Sequence, residues 1–179
     1  MYSVANKNNL YFIISIVIFL LLKLGYKFSD ITTLGFLLKP TNKFVEILMN
    51  SNSVFIKTIG HYHSSLNIVI DKSCSGFNFW ILSFVMISFL LLKHLNTHFL
   101  KIISIPISMV YAYVVTIFVN TSRIFVSIII QQQTNNLVKG QQHIIHETVG
   151  VITNLSFLIL IYYFTKKLTL KHLHHEKLA

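Results

Sequence analysis

One cysteine, one arginine and one histidine that opens an apolar run are the residues of this chain whose types and positions can do covalent chemistry. Cys74 is the sole thiol, so no intramolecular disulfide can form, and its sulfur is either a packing group or a nucleophile. A thiol attacks a carbonyl as its thiolate, a form favoured beside an imidazolium or a guanidinium. His146 can hold the proton and return it to a leaving amine. Arg123 stands against fourteen lysines. Lysine anchors at a membrane interface equally well, so a single planar, permanently charged fork points to a task such as stabilising an oxyanion. Together the three side chains make the set that acyl transfer requires.

The background that must position them is strongly apolar. Of 179 residues, 54% are hydrophobic and 11% charged, with mean hydropathy +0.66, against about 25% charged in an ordinary soluble domain. This is the composition of a polytopic membrane protein, expected as a single domain over residues 1–179. The net charge of +10 comes from lysines scattered at the ends of apolar runs, not from a basic stripe interleaved with aromatics, so nucleic acid is not an expected partner and membrane lipid is.

Four principal spans are expected. The first runs from Leu10 to about Phe28 and is read as retained, because Lys23-Leu-Gly-Tyr-Lys27 offers no small-x-small cleavage pattern. The second runs from Ser75 to Leu92. Phe99 to Ile130 would measure about 48 Å as a helix, beyond one hydrocarbon thickness of about 30 Å, so it is expected to tilt, kink or break at Pro106 or at Asn120-Thr-Ser-Arg123. The last begins near His143 or His146 and ends before Lys166.

Between the first two spans, Ile31 to Leu38 is apolar, Pro40 is expected to break it, and Thr41 to Met49 shows helical spacing, with Phe44, Val45 and Leu48 on one face and Lys43 and Glu46 on the other. This stretch is either an interfacial amphipathic helix or an additional span. Leu66 to Lys72 reads as a short strand ending before Cys74. The fold class expected is therefore all-α and polytopic, four to six transmembrane helices with a short extracytoplasmic strand and amphipathic segment ahead of the Cys74 helix.

Residues 1–9, 93–101 and 166–179 carry seven positive charges in 32 positions, whereas 25–73 and 120–145 carry seven in 75. The first set is thereby assigned to the cytoplasm. Cys74 then begins span two, Arg123 ends a span counted from Lys101, and His146 begins the last span. All three fall at the extracytoplasmic face.

Those residues carry a resemblance. Cys74-Ser75-Gly76 after a short strand, Asn120-x-x-Arg123-Ile at a span end, and His146-x-x-x-Gly150 opening the last span resemble the exosortase/archaeosortase family of membrane cysteine transpeptidases, with the compact exosortase K type the nearest in form. The resemblance covers about residues 66–165. It implies a multi-pass enzyme of the cell inner membrane that recognises exported proteins by a C-terminal sorting segment: a short motif, a transmembrane helix and a basic cluster. Cleavage would pass through a cysteinyl thioester, and the new C-terminus would be transferred or released. On the matching positions Cys74 is the nucleophile, His146 the general base and acid, and Arg123 the oxyanion partner.

Supporting roles fall to four neighbours. Ser75 and Gly76 would admit a close carbonyl approach and cap the helix. Asn120 would orient Arg123 or satisfy backbone freed at a kink. Gly150 would let another helix come close, the substrate's own included. His143, one turn before His146, is the competing base, and Glu147 reads as a helix N-terminal charge. His61, His63 and the tail histidines 172, 174 and 175 raise a metal site, but they lie on opposite faces and lack cysteine partners. No metal or organic cofactor is expected. Two other classes fit the same composition: a small transporter or channel subunit with Arg123 and His146 lining a polar path, and a non-catalytic membrane scaffold.

Overall fold

Long apolar runs in this chain have become long helices. A computed structural model describes residues 3–95, 97–134 and 142–178, with the side chains of 3–8, 132, 134, 142–146 and 170–178 left aside. In chain order the elements are α1 (Ser3–Phe28), α2 (Gly35–Met49), β1 (Val54–Ile56), β2 (Gly60–His63), β3 (Ile68–Ile70), a 3-10 turn (Lys72–Ser75), α3 (Phe77–His94), α4 (His98–Thr134) and α5 (Gln142–Leu178). Among the described residues four segments are long and apolar enough to cross a membrane: Asn9–Phe28, Lys72–His94, His98–Gln131 and Glu147–Thr169. The chain divides into two compact units, and α3, α4 and α5 contribute to both.

The first unit comprises Met1–Phe28, Asn78–Val114 and Leu158–Ala179. Phe84, Ile87, Leu92 and Ala112 are buried in it, while Leu20, Leu21, Leu24, Val110 and Ile159 face outward. An apolar exterior of this kind suits hydrocarbon better than water. Several hydroxyls close on their own helices: Ser15 donates to the Tyr11 carbonyl, Ser104 to that of Lys101 and Ser108 to that of Ser104. Other side chains tie helices together. Trp80 Nε1 donates to the Met109 carbonyl at 3.2 Å, Lys23 Nζ to Asn78 Oδ1 at 2.7 Å, and Tyr11 shares a hydrogen bond with His98.

The second unit comprises Ser29–Phe77 and Val115–Phe157. Here α2 buries Leu37, Leu38, Thr41, Asn42 and Val45 along one stripe. Pro40 does not break this helix, contrary to the sequence expectation: it lies inside it. A proline costs a helix interior about 3 kcal/mol, and the burial of that stripe on both sides of it offsets the loss. The expected apolar face is also corrected. Val45 is buried, but Phe44 and Leu48 are exposed. Glu46, expected on the face opposite the apolar one, accepts from Ser53 N at 3.1 Å, Ser53 Oγ at 2.7 Å and Asn42 Nδ2 at 3.3 Å.

That carboxylate begins a polar network tying α2 to the sheet. Asn42 Oδ1 meets His63 Nε2 at 2.9 Å, and His63 Nδ1 meets Ser51 Oγ at 2.9 Å, with both histidine contacts buried. The strand expected over Leu66 to Lys72 is β3, shortened to Ile68–Ile70, and it is the third strand of an antiparallel meander ordered β1-β2-β3. The register pairs Val54 with Tyr62 and Tyr62 with Val69. Helix α4 shows no break at Pro106 or at the Asn120–Arg123 cluster and is about 55 Å long. Arg123 therefore does not end the helix, which continues roughly three more turns to Thr134.

Candidate functional site

Cys74 is held by a turn whose cap the sequence signals locally. Asp71 stands in extended backbone ahead of the 3-10 turn, and its carboxylate accepts from Ser73 N at 2.9 Å, Ser73 Oγ at 2.6 Å and Cys74 N at 3.3 Å. Asp-x-Ser-Cys is the pattern of an N-capped turn, yet Asp71 was not among the residues the motifs singled out. Gly76 closes the turn at φ +69°, in the left-handed region. A Cβ there would come within 2.9 Å of Asn120 Cγ, so both conformation and space require glycine. Ser75 is buried and accepts from Phe77 N at 3.4 Å, a weak cap on the first turn of α3.

Asn120 fastens this turn to α4. Its Nδ2 donates to the Cys74 carbonyl at 2.5 Å, across 46 residues of sequence. The expectation that Asn120 orients Arg123 or repairs a kink is corrected accordingly: it positions the cysteine turn, and α4 has no interruption there. One turn further along α4, Arg123 is buried to 9% exposure. The ion pair Lys43–Glu46 is the one formed among the described residues, so the guanidinium has no carboxylate partner there. Arg123 Nε, Asn120 Oδ1 and Thr121 Oγ1 are buried without hydrogen-bond partners among the described residues. Three such atoms within one helical turn mark an unusual place, since buried polar groups are ordinarily satisfied.

Arg123 and Cys74 are within electrostatic reach of one another. The arginine also lies against α5: a Cβ on Gly150 would meet Arg123 Cδ at 3.5 Å and Nε at 3.8 Å. Gly150 thus lies beside a side chain of another helix, α4 of this same chain. The spacing is ordinary contact, so alanine fits. His146 and His143 belong to the α5 turns just before Gly150, and their side chains lie outside the described residues.

Cys74 lines a cavity of about 210 Å³. Asn67 and all three residues of β3 line it, together with Cys74 and one face of α4: Ile124, Ser127, Ile128 and Gln131. Those four sit at i, i+3, i+4 and i+7, the spacing of a single helical stripe. Arg123 is not among the lining residues. Sequence reasoning missed Asn67, Ser127 and Gln131; the stripe was present in the sequence, but with the helix expected to end at Arg123 nothing placed it at a site.

His61 and His63 belong to the sheet; His63 joins its polar network, whereas His61 Nε2 is buried without a hydrogen-bond partner among the described residues. Burial holds both imidazoles below the usual histidine range, with the Glu46 carboxylate opposing that shift. Hydrogen bonds from Ser53 hold Glu46 below the ordinary carboxylate range against desolvation. No protein-family model matches the sequence, and neither a curated protein nor a solved structure matches it.

Proposed function

We propose that this chain is a membrane-embedded cysteine peptidase or transpeptidase of the exosortase/archaeosortase kind, cutting the C-terminal sorting segment of exported proteins at the outer side of the cytoplasmic membrane. The observation that carries this reading is the buried Arg123 guanidinium, without a carboxylate partner among the described residues, one turn from the asparagine that holds the Cys74 carbonyl. Burying an unpaired charge costs several kcal/mol. A thiolate, or the oxyanion formed when it attacks a carbonyl, is the anion that would complete the pair.

The chemistry balances without a cofactor. The Cys74 proton passes to the imidazole of His146, and Sγ bonds to the scissile carbonyl carbon, placing negative charge on its oxygen beside Arg123. Collapse breaks the C–N bond, the imidazolium proton leaves on the amine, and a thioester remains on Cys74. An acceptor amine or water then attacks the thioester, giving its proton to the imidazole, and the sulfur departs. The acceptor decides between transfer and hydrolysis.

The test is co-expression with a secreted reporter carrying a candidate sorting segment, followed by gel analysis of its processing and mass spectrometry for a trapped thioester. Cys74→Ala should abolish processing, a loss of about 10³-fold or more. His146→Ala should do likewise, whereas His143→Ala should not. Processing that is unchanged in Cys74→Ala overturns the proposal, as does its absence with the wild-type chain, which is what a transport subunit would give.

A further inference from the structure

All three residues of β3 line the Cys74 cavity, and we infer that the strand's outer edge is a docking rail for an extended peptide, which pairs with it through main-chain hydrogen bonds and so brings its scissile carbonyl to the sulfur. This rests on the proposed function and specifies how that site would hold its substrate.

In the sheet order β1-β2-β3, strand β3 is last. One side of it pairs with β2, His61 with Ile70 through His63 with Ile68; among the described residues the other side has no strand partner. Such an edge presents N–H and C=O groups that need partners. Natural edges are commonly blunted by a charge, a proline, a bulge or brevity; Ile68-Val69-Ile70 has no charge and no proline, and its three residues keep the rail short. Its residues line the cavity together with the stripe of α4 that includes Ile124 and Ser127, and Val69 is exposed. An added strand lies about 4.8 Å from its neighbour, and peptide recognition by strand addition draws affinity from main-chain bonds and selectivity from alternate side chains.

The edge is also fixed relative to the sulfur. Pairing with β2 holds one flank, and the Asp71 cap ties the end of β3 to Cys74. At Gly60, the first residue of β2, φ +109°, an added Cβ would collide with the Ile70 carbonyl, so β2 packs closely on that end of the strand. A rail held along one flank and at one end has little freedom to lose on binding. A segment laid along it keeps a constant offset from Cys74, so position along the rail selects the bond that is cut.

Because the recognition is by backbone, a probe of mixed sequence is the right one. The full chain, purified in nanodiscs, is treated with tetrapeptidyl chloromethyl ketones bearing randomised side chains, with the same mixture N-methylated at one amide at a time, and with acetyl-alanyl chloromethyl ketone as a short control. Adducts on Cys74 are followed by intact-mass spectrometry. The parent mixture should alkylate at least about tenfold faster than the short control. N-methylation at alternate amides should remove that advantage, while the intervening amides tolerate it, because successive residues of a strand face opposite edges. Equal rates for parent and methylated mixtures, rates no faster than the short control, or no peptide adduct at all would each overturn the inference. Loss of alternation with Cys74-dependent processing intact removes the rail alone; processing that survives Cys74→Ala removes the enzyme.

Discussion

The two compact units use side-chain hydrogen bonds differently. In the first, the hydroxyls of Ser15, Ser104, Ser108 and Thr169 bond to carbonyls three or four residues back, those of Ser83, Ser88 and Thr165 are buried without a partner among the described residues, and single contacts from Tyr11, Lys23 and Trp80 tie helices together. In the second, the partners are distant in sequence: Asn120 to Cys74, His63 to Asn42 and Ser51, Glu46 to Ser53. Their cavities differ in chemistry. One in the first unit, about 300 Å³, is lined by Ile87, Leu91, Leu95, Ile107 and Leu168 with the hydroxyl-bearing Ser108, Tyr111, Thr165 and Thr169, whereas the second's brings Asn67, Ser127 and Gln131 together with Cys74. Helices whose polar groups are closed locally can enter lipid one at a time. The contacts that gather on the Cys74 turn from Asp71 and from Asn120 of α4 fix its geometry on folding, so that turn is where chemistry can be placed.

The sharpest way to break this contrast is at Arg123. Arg123→Lys keeps the charge but loses the fork of donors, and processing should fall about 10²- to 10³-fold, the effect of removing an oxyanion donor. A paired substitution separates position from charge. Gly150→Ala leaves ordinary contact with the guanidinium and should be near neutral; Gly150→Leu should displace it and approach the Arg123→Lys loss. Rates of reporter processing measure both, and equal activity in Gly150→Leu and wild type would detach α5 from the site.

A stability effect should follow at the turn. Gly76→Ala forces a left-handed φ on alanine and presses its Cβ on Asn120, at about 2–3 kcal/mol in all. Asn120→Ala leaves the Cys74 carbonyl without this donor, at about 1–3 kcal/mol. Denaturant unfolding of the purified protein reads both, and the two changes should not add, because each disrupts the same contact.

Acid should weaken the second unit's network. His61 and His63 are held neutral by burial, so the unfolded chain takes up their protons more readily than the folded one. Their contribution is complete above the ordinary imidazole value of about 6.5 and is lost as pH falls below it, toward their depressed folded values. Glu46, also depressed, adds a second loss below the ordinary carboxylate range. Thermal unfolding followed by circular dichroism should show a drop on the order of 1 kcal/mol between pH 7.5 and pH 5.5. His63→Gln should flatten that dependence.

How much of this was legible in the sequence divides along the same line. The four helices long and apolar enough to cross a membrane were, because length and apolarity are local properties. The Cys74 turn was partly so, since a strand, a cysteine and a glycine in order mark a bend. What was not legible depended on tertiary closure. The three-residue strand Val54–Ile56 is too short to alternate visibly, and it becomes a strand only by pairing with Gly60–His63. Pro40 outweighs local propensity until the burial of Leu37, Leu38 and Val45 is counted. Asn120 signalled polarity at a membrane depth, but nothing nearby in the chain names its acceptor, the carbonyl of Cys74.

The smallest expected effect is the one that most directly tests the contrast. Ser104 is buried, and its hydroxyl donates to the Lys101 carbonyl at 2.8 Å. That carbonyl lies in the first turn of α4, where its own helical N–H partner is still present, so the serine supplies a second, dispensable bond. Back-bonding hydroxyls of this kind slightly destabilise and bend helices. Ser104→Ala should therefore shift stability by no more than about 0.5 kcal/mol in either direction and leave processing at the wild-type rate. Were it to match Asn120→Ala in unfolding, the hydroxyls of the first unit would be positioning groups as well, and the division of labour between the two units would fail.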